Sequence, residues 1–206
     1  MTASRIFTRP DAWSGGSYEL AVDLGRVDDI RLEKALATIW SHGDVDGCYL
    51  ELDREPAEQD PVRPSGDLDL QTCLRGVARL GALAPVACST VVVREDGGSD
   101  WLYFGLPMGS LGAVLPVGAF PFDDGRDLAW RSTVDGWLRL LGEHLFSTVR
   151  FRVGLVGWTD GLDDGTDDLL ERGVPKKRWV GYLVPSGDSL TWYPPNQGAP
   201  MRAGHP

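Results

Sequence analysis

Residues 17–24 read S-Y-E-L-A-V-D-L and alternate without exception between large apolar side chains and side chains that are charged or small. Successive side chains of a β-strand point to opposite faces of its sheet, so this alternation predicts a half-buried strand with its apolar face against a core. The acidic residues Glu19 and Asp23 would then lie on the other, open face. The first expectation is therefore a sheet that is built outward from this strand.

Two amphipathic helices are predicted to cover that sheet. Asp28 or Asp29 is placed to cap the first helix, whose apolar residues share one stripe before Gly43 ends it. Residues 127–146 form a clearer second helix, with apolar residues at helical spacing on one face and Arg131 on the opposite face. One face of each helix is expected to lie on the sheet.

The remaining segments are mostly predicted as strands. Apolar and β-branched runs bounded by turn residues indicate strands at 48–52, 86–94, 101–106, 149–158, 179–184 and 190–193. Residues 53–69 carry three prolines among acidic residues and predict an exposed loop. The apolar spacing of residues 70–81 predicts a second short helix, and residues 167–172 predict a helical turn.

The order of these elements predicts an α+β fold with a mixed or antiparallel sheet and with helices mainly on one face. Two successive halves share a strand-helix-strand-strand layout, which suggests a topological duplication and resembles the gyrase-inhibitor-like small-molecule-binding fold. The length of 206 residues favours a single domain. We expect an N-terminal arm at 1–12, a globular core at 13–195 and a flexible tail at 196–206.

The composition bounds the partners of the chain. A formal net charge of −10 opposes binding to nucleic-acid phosphates or anionic membranes through a general basic field, and it suits a protein partner with a basic surface. No segment has the apolar length of a signal peptide or of the roughly 20 residues that span a membrane, which favours a soluble, cytoplasmic protein. The excess of arginine over lysine is typical of a GC-rich bacterial genome. The three cysteines are isolated and are expected as free thiols.

An acidic segment that begins at Asp160 nearly matches the calcium-binding loop of an EF-hand. Position 3 of that loop is Leu162 and position 8 is Asp167, where an oxygen ligand and an apolar residue are required. The preceding segment is also strand-like rather than helical. No metal site and no cofactor are therefore predicted, and Asp160, Asp163 and Asp164 are instead candidates for contact with a cationic partner.

Residues 107–122 form an apolar passage that is rich in glycine and proline, too long for an ordinary connection and too apolar for a free surface loop. The passage is predicted either to be a lid over an apolar ligand pocket or to seal one end of the core. Aromatic residues in it and at strand edges suit a pocket rim or an interface. These candidate binding residues are Trp101, Tyr103, Phe120, Phe122 and Trp158.

Carboxylates on the open face of the sheet form a third candidate site. If residues 17–24 and 48–52 are neighbouring strands in register, Glu19, Asp23 and Glu51 gather on one face. Paired carboxylates can perform acid/base chemistry where their environments separate their pKa values. Cross-strand ion pairing with arginines of a later strand is the alternative. The chain contains no complete nucleophile or phosphate-binding motif, so no catalytic residue is assigned.

Three stretches of the chain resemble a family of uncharacterised bacterial proteins of similar length. They are W-S-G-G-S-Y-E-L-A-V-D-L-G at 13–25, R-F-R-V-G-L-V-G at 150–157 and E-R-G-V-P-K-K-R-W-V-G-Y-L-V-P at 171–185. The resemblance spans most of the chain, from Trp13 to about Tyr193. No activity is attached to that family, so the resemblance implies no catalytic or binding residues.

The sequence supports three hypotheses of function. The leading hypothesis is a non-catalytic, acidic binding protein that engages a protein partner, as an immunity-type or accessory protein does. The second is a small-molecule-binding domain with an apolar pocket under residues 107–122. The third is an enzyme that uses the open-face carboxylates, and the lack of a complete catalytic motif favours the first two hypotheses over it.

Overall fold

A computed structural model describes residues 5–64, 72–94, 98–117, 129–159 and 166–197. The strands in these ranges are β1 (Ser17–Arg26), β2 (Val45–Tyr49), β3 (Leu74–Ala78), β4 (Val86–Arg94), β5 (Ser99–Pro107), β6 (Val153–Gly157), β7 (Gly181–Ser186) and β8 (Ser189–Tyr193). The helices are α1 (Asp29–Trp40), α2 (Met108–Leu111), α3 (Ala129–Thr148) and α4 (Thr166–Arg172), and a 3-10 turn lies at Pro56–Glu58.

The strands join in one antiparallel sheet with the order β2-β3-β4-β5-β1-β6-β7-β8. β1 lies at the centre of this sheet, where Ala21 is opposite Tyr103 of β5 on one side and opposite Leu155 of β6 on the other. The predicted α+β class is thereby confirmed, in its antiparallel form.

The two halves of the chain repeat one order of elements but follow different paths through the sheet. The first half contains β1, α1 and β2 to β4, and the second contains β5, α3 and β6 to β8. After α1 the chain enters the sheet at its outer edge and the strands step inward, whereas after α3 it enters beside β1 and the strands step outward. The likeness of the two halves is therefore limited to the chain order of these elements; it leaves out α2 and α4, and it does not extend to the strand order.

Helices α1 and α3 pack against each other and bury the large apolar side chains of β1. Asp28 caps α1, as the sequence predicts: its carboxylate accepts a hydrogen bond from the backbone N–H of Arg31 at 3.0 Å. Leu32 of α1 and Leu138 of α3 are fully buried together with Leu20 of β1. The core on this side follows the helical and strand periodicities of the sequence.

The other face of the sheet, called the second face below, is covered in two separate places. Residues 5–14 lie over β2, β3 and β4, where Phe7 is buried against Tyr49 and Val77. α4 lies over β6 and β7. β1 lies between these two covers and is itself buried on both faces, with Asp23 only 1% exposed, whereas the sequence predicts a half-buried strand.

The N-terminal arm is joined by the carboxylate of Glu55 to the loop that follows β2. Its two oxygens accept hydrogen bonds from the backbone N–H groups of Ile6, Phe7 and Thr8 and from the Thr8 hydroxyl, at distances of 2.7–3.2 Å. Burial opposes ionisation of this carboxyl, but the four donors favour the charged form and hold its pKa below the ordinary value of 4.5. Charge-assisted hydrogen bonds thus fasten the arm to this loop.

The described residues reach into both predicted termini. Residues 5–12 of the predicted arm pack against the sheet, and Asn196 at the start of the predicted tail accepts a hydrogen bond from the backbone N–H of Arg178 at 2.9 Å. Residues 1–4 and 198–206 lie outside the described ranges.

The helix predicted at 70–81 is wrong, because residues 74–78 form strand β3. Both faces of β3 are covered, since Leu74 and Ala78 belong to the core on the side of α1 and α3 and Val77 packs against Phe7. A short apolar run of this kind does not distinguish a buried strand from a helix. Gly76 permits the close packing of this strand, since a Cβ atom there would lie 2.4 Å from the ring of Trp40. The strand predicted at 48–52 is also displaced, to Val45–Tyr49.

Glu55→Gln is expected to loosen the arm. The side-chain amide nitrogen of glutamine cannot accept hydrogen bonds, so the N–H groups that now donate to one carboxylate oxygen would lose their acceptor. The free energy of unfolding should therefore fall by about 1–3 kcal/mol at neutral pH. The folded-state pKa of Glu55 is depressed, so this contribution is present above its ordinary pKa and is lost as the pH falls through the folded value. Urea unfolding measures both effects. Glu51→Gln, at an exposed position paired with Arg54, is the control, and an equal loss in both variants would contradict the assignment.

Candidate functional site

A cavity of about 300 Å³ lies between α4 and the second face of the sheet. Its floor is formed by Trp101 of β5, by Val153 and Leu155 of β6 and by Tyr182 of β7. The remaining lining comes from α4 and the residues that follow it: Thr166, Leu169, Arg172, Gly173, Val174, Pro175 and Lys176. The cavity is therefore mostly apolar and is enclosed by elements that are far apart in the sequence.

The position of α4 is set by apolar packing and by a chain of ion pairs. Leu169 packs against the buried residues of β6 and β7. Arg152 lies between Asp23 of β1, at 3.2 Å, and Asp167 of α4. Because Asp23 is buried, its carboxylate requires partners, and it also accepts the N–H of Gly25 at 2.7 Å. Arg152 thus connects the centre of the sheet to α4 beside the cavity.

A glycine ends α4 and directs the chain along the cavity. Gly173 has a φ of 77°, in the left-handed region that glycine adopts without steric penalty, and its N–H donates to the carbonyl oxygen of Leu169 at 2.8 Å. Arg172 before this turn and Lys176 after it both line the cavity. Among the described lining residues these two are the charged ones, and both are cationic.

One polar group in the cavity wall has no hydrogen-bond partner among the described residues. Thr166, the first residue of α4, is 7% exposed, and its hydroxyl oxygen forms no hydrogen bond with any residue that the structure describes. A buried hydroxyl without a partner destabilises a fold by about 1–3 kcal/mol. A ligand atom that pairs with this hydroxyl would remove the penalty.

The structure separates the predicted aromatic rim residues. Trp101 and Tyr103 are stacked on the second face with ring centroids 6.1 Å apart, and Trp101 lines the cavity. Trp158 is buried in the core on the side of α1 and α3 instead. The other predicted partner or ligand residues lie outside the described ranges: Phe120, Phe122, Asp160, Asp163 and Asp164.

Residues 107–117, the described part of the predicted lid, belong to the core on the side of α1 and α3. Met108 and Leu111 of α2 are buried in that core. The hydroxyl of Ser110 accepts a hydrogen bond from the backbone N–H of Ala87 at 2.7 Å and so joins α2 to β4. These residues seal one end of the core, whereas the cavity under α4 lies on the opposite face of the sheet.

The three open-face carboxylates do not converge. β2 lies at the edge of the sheet and β1 at its centre, so the two strands are not neighbours. Glu51 is exposed in the loop after β2, and Asp23 is paired with Arg152. Glu19 accepts a hydrogen bond from the hydroxyl of Thr159. Acid/base chemistry that needs all three carboxylates at one point therefore has no geometric basis.

A second cleft lies between α3 and residues 192–197, and Asp135 forms part of its wall. The Tyr18 hydroxyl donates to Asp135 Oδ1 at 2.6 Å, and Arg131 Nε donates to the Tyr18 oxygen at 2.9 Å. Burial raises the pKa of Asp135 to about 6, against the lowering effects of the Tyr18 hydrogen bond and the Arg131 charge. This carboxyl is part of a packed network, and its raised pKa makes the stability of the fold depend on pH.

Asp135→Asn is expected to remove that dependence. The folded-state pKa is raised, so the contribution of Asp135 to stability is fully present below its ordinary pKa of 3.8 and is lost as the pH rises through about 6. Relative to the variant, the wild-type free energy of unfolding should fall by up to about 3 kcal/mol across this range. Urea unfolding at a series of pH values measures the difference, with Asp188→Asn at an exposed position as control. A constant difference between wild type and Asp135→Asn would contradict the expectation.

Local sequence patterns do not single out most of the cavity residues. The apolar runs at 149–158 and 179–184 place Val153, Leu155 and Tyr182 in strands, and residues 167–172 are predicted as helical. No local pattern indicates that this helical turn crosses those strands, because the contact joins segments that are distant in the chain. Trp101 is the cavity residue that the sequence does indicate, as an aromatic residue at a strand edge.

Comparisons of the chain with protein-family models, with curated proteins and with solved structures found no match. The resemblances noted in the sequence therefore stay predictions. Within the described ranges, no helix is both long and apolar enough to cross a membrane. In the same ranges, no group of three or more His, Cys, Asp or Glu side chains is placed to hold a metal ion. Function is accordingly inferred from the cavity.

Proposed function

We propose that this protein binds a small organic molecule in the cavity between α4 and the sheet. The observation that carries the proposal is a formed, mostly apolar cavity of about 300 Å³ with a few polar groups placed along α4. Ligand sites in proteins are typically concave and apolar, with volumes of about 300–1,000 Å³. This cavity lies at the small end of that range, so it suits a compact ligand.

The lining favours binding over catalysis. The described lining residues include no Asp, Glu, His, Cys or Ser, so they place no carboxylate or imidazole as a general base beside the Thr166 hydroxyl or the Lys176 amine. Arg172 and Lys176 supply hydrogen-bond donors and positive charge, and Thr166 supplies a hydroxyl. A few polar groups around an apolar wall orient a ligand and give selectivity.

A cavity-filling substitution tests the proposal. Leu169→Trp replaces a leucine side chain by a larger indole ring that fills part of the cavity. It should weaken binding of the neutral fluorescent probe N-phenyl-1-naphthylamine by at least roughly tenfold, a loss of about 1.4 kcal/mol of binding free energy. The increase in probe fluorescence on titration measures the affinity. Leu170→Trp is the matched control, because Leu170 is the next residue of α4, is 49% exposed and is not among the lining residues.

The outcomes of this experiment are distinct. A wild-type chain that does not bind the probe would remove the proposal. Equal affinities in the two variants, each shown to be folded by circular dichroism, would place the probe elsewhere on the protein and would also count against it.

The second candidate function is binding to a protein partner with a basic surface, as in an immunity-type or accessory protein. The net charge of −10 is the observation that favours it. Salt screens attraction of this kind. The immobilised chain should retain such a partner from a lysate of its native cells at low ionic strength and release it as salt is added. Retention of no protein under these conditions would contradict this candidate.

A further inference from the structure

The charges around the cavity indicate the class of ligand. Arg172 and Lys176 are the charged residues of its described lining, whereas the whole chain carries a net charge of −10. Two cations beside one apolar cavity in so acidic a chain favour an anion. Building on the function proposed above, we propose that the ligand is a small organic carboxylate. Its apolar body lies against the sheet, and its carboxylate lies between Arg172 and Lys176.

A third cation near the cavity, Arg152, is already engaged by the protein. It pairs with buried Asp23 and with Asp167, so its charge balances carboxylates of the fold. Lys176, in contrast, forms no ion pair with any residue that the structure describes. Its ammonium group is therefore available to a ligand.

The two cations have complementary roles toward a carboxylate. The guanidinium of Arg172 is planar and can donate two parallel hydrogen bonds to the two carboxylate oxygens, whereas the ammonium of Lys176 acts as a point charge. Hydrogen bonds of this kind are about twice as strong as those between neutral groups. A dianionic phosphate would meet more repulsion from the acidic chain than a monoanionic carboxylate does, so the carboxylate fits better.

The cavity has a direction. It extends along α4 from Thr166 at the first residue to Arg172 at the seventh, a length of about 10 Å at 1.5 Å per residue. The cations lie at one end and the hydroxyl without a described partner lies at the other. An apolar chain with a carboxylate head group therefore matches the apolar floor and the placement of charge, and a polar group at its far end would pair with the Thr166 hydroxyl.

Three probes that share an eight-carbon chain and differ in their head group test the proposal: octanoate, 1-octanol and octylammonium. Each is titrated into the wild-type chain loaded with N-phenyl-1-naphthylamine, and displacement is followed as loss of fluorescence. Octanoate should bind roughly tenfold more tightly than 1-octanol, which corresponds to one charge-assisted hydrogen bond. Octylammonium should bind most weakly, although the overall charge of the chain would attract it.

Substitutions at the two cations locate the effect. Arg172→Gln and Lys176→Gln should each remove most of the preference for octanoate, measured as the ratio of the octanoate and 1-octanol affinities of the same variant. Lys177→Gln is the matched control, because it removes a positive charge from the next residue, which is outside the described lining. It should leave all three affinities unchanged. Circular dichroism and retained binding of the reporter show that a variant keeps the folded cavity.

The results separate this inference from the proposed function. Equal affinities for octanoate and 1-octanol in the wild-type chain would overturn the carboxylate assignment, as would a preference that survives both substitutions. Reporter binding that no probe displaces would overturn it as well, and in each of these cases the cavity remains a binding site. A wild-type chain that does not bind the reporter would overturn both.

Discussion

A sheet has two faces, and the two long helices of this protein cover only one of them. β1 at the centre of the sheet has buried residues on both faces, so the second face must be shielded from water by other parts of the chain. Residues 5–14 shield it over β2 to β4, and α4 shields it over β6 and β7. Burial of apolar area is the dominant favourable contribution to folding, and both covers therefore contribute to the stability of the same sheet.

The two covers differ in how closely they fit. Phe7 in the arm is buried against the sheet, and Glu55 fastens the neighbouring backbone through four hydrogen-bond donors. α4 is held by the apolar contacts of Leu169 and by the ion pairs of Arg152 with Asp23 and Asp167. Between these contacts a cavity separates α4 from the sheet. The cavity is therefore a consequence of how α4 is attached.

The sequence predicts the elements with strong periodicity. β1, α1, α3 and the final hairpin are found close to their expected bounds, because alternation and helical spacing each describe a single segment. β3 is missed because both faces of that strand are covered, so its apolar residues carry no alternation. The candidate site is missed for a different reason. In the sequence, Thr166 and Lys176 belong to a helical turn and to the connection after it, and only the packing of α4 on the sheet brings them into one cavity. Local sequence patterns do not predict such contacts between segments that are distant in the chain.

The central position of β1 also affects the rate of folding. Its sheet partners lie far along the chain, since Ser17 pairs with Pro107 and Glu19 pairs with Gly157. Contacts of high sequence separation slow folding, because the loop between the partners must close before the pairing stabilises it. On the ribosome β1 is made before β5 and β6, so its sheet pairing cannot form until those strands have followed.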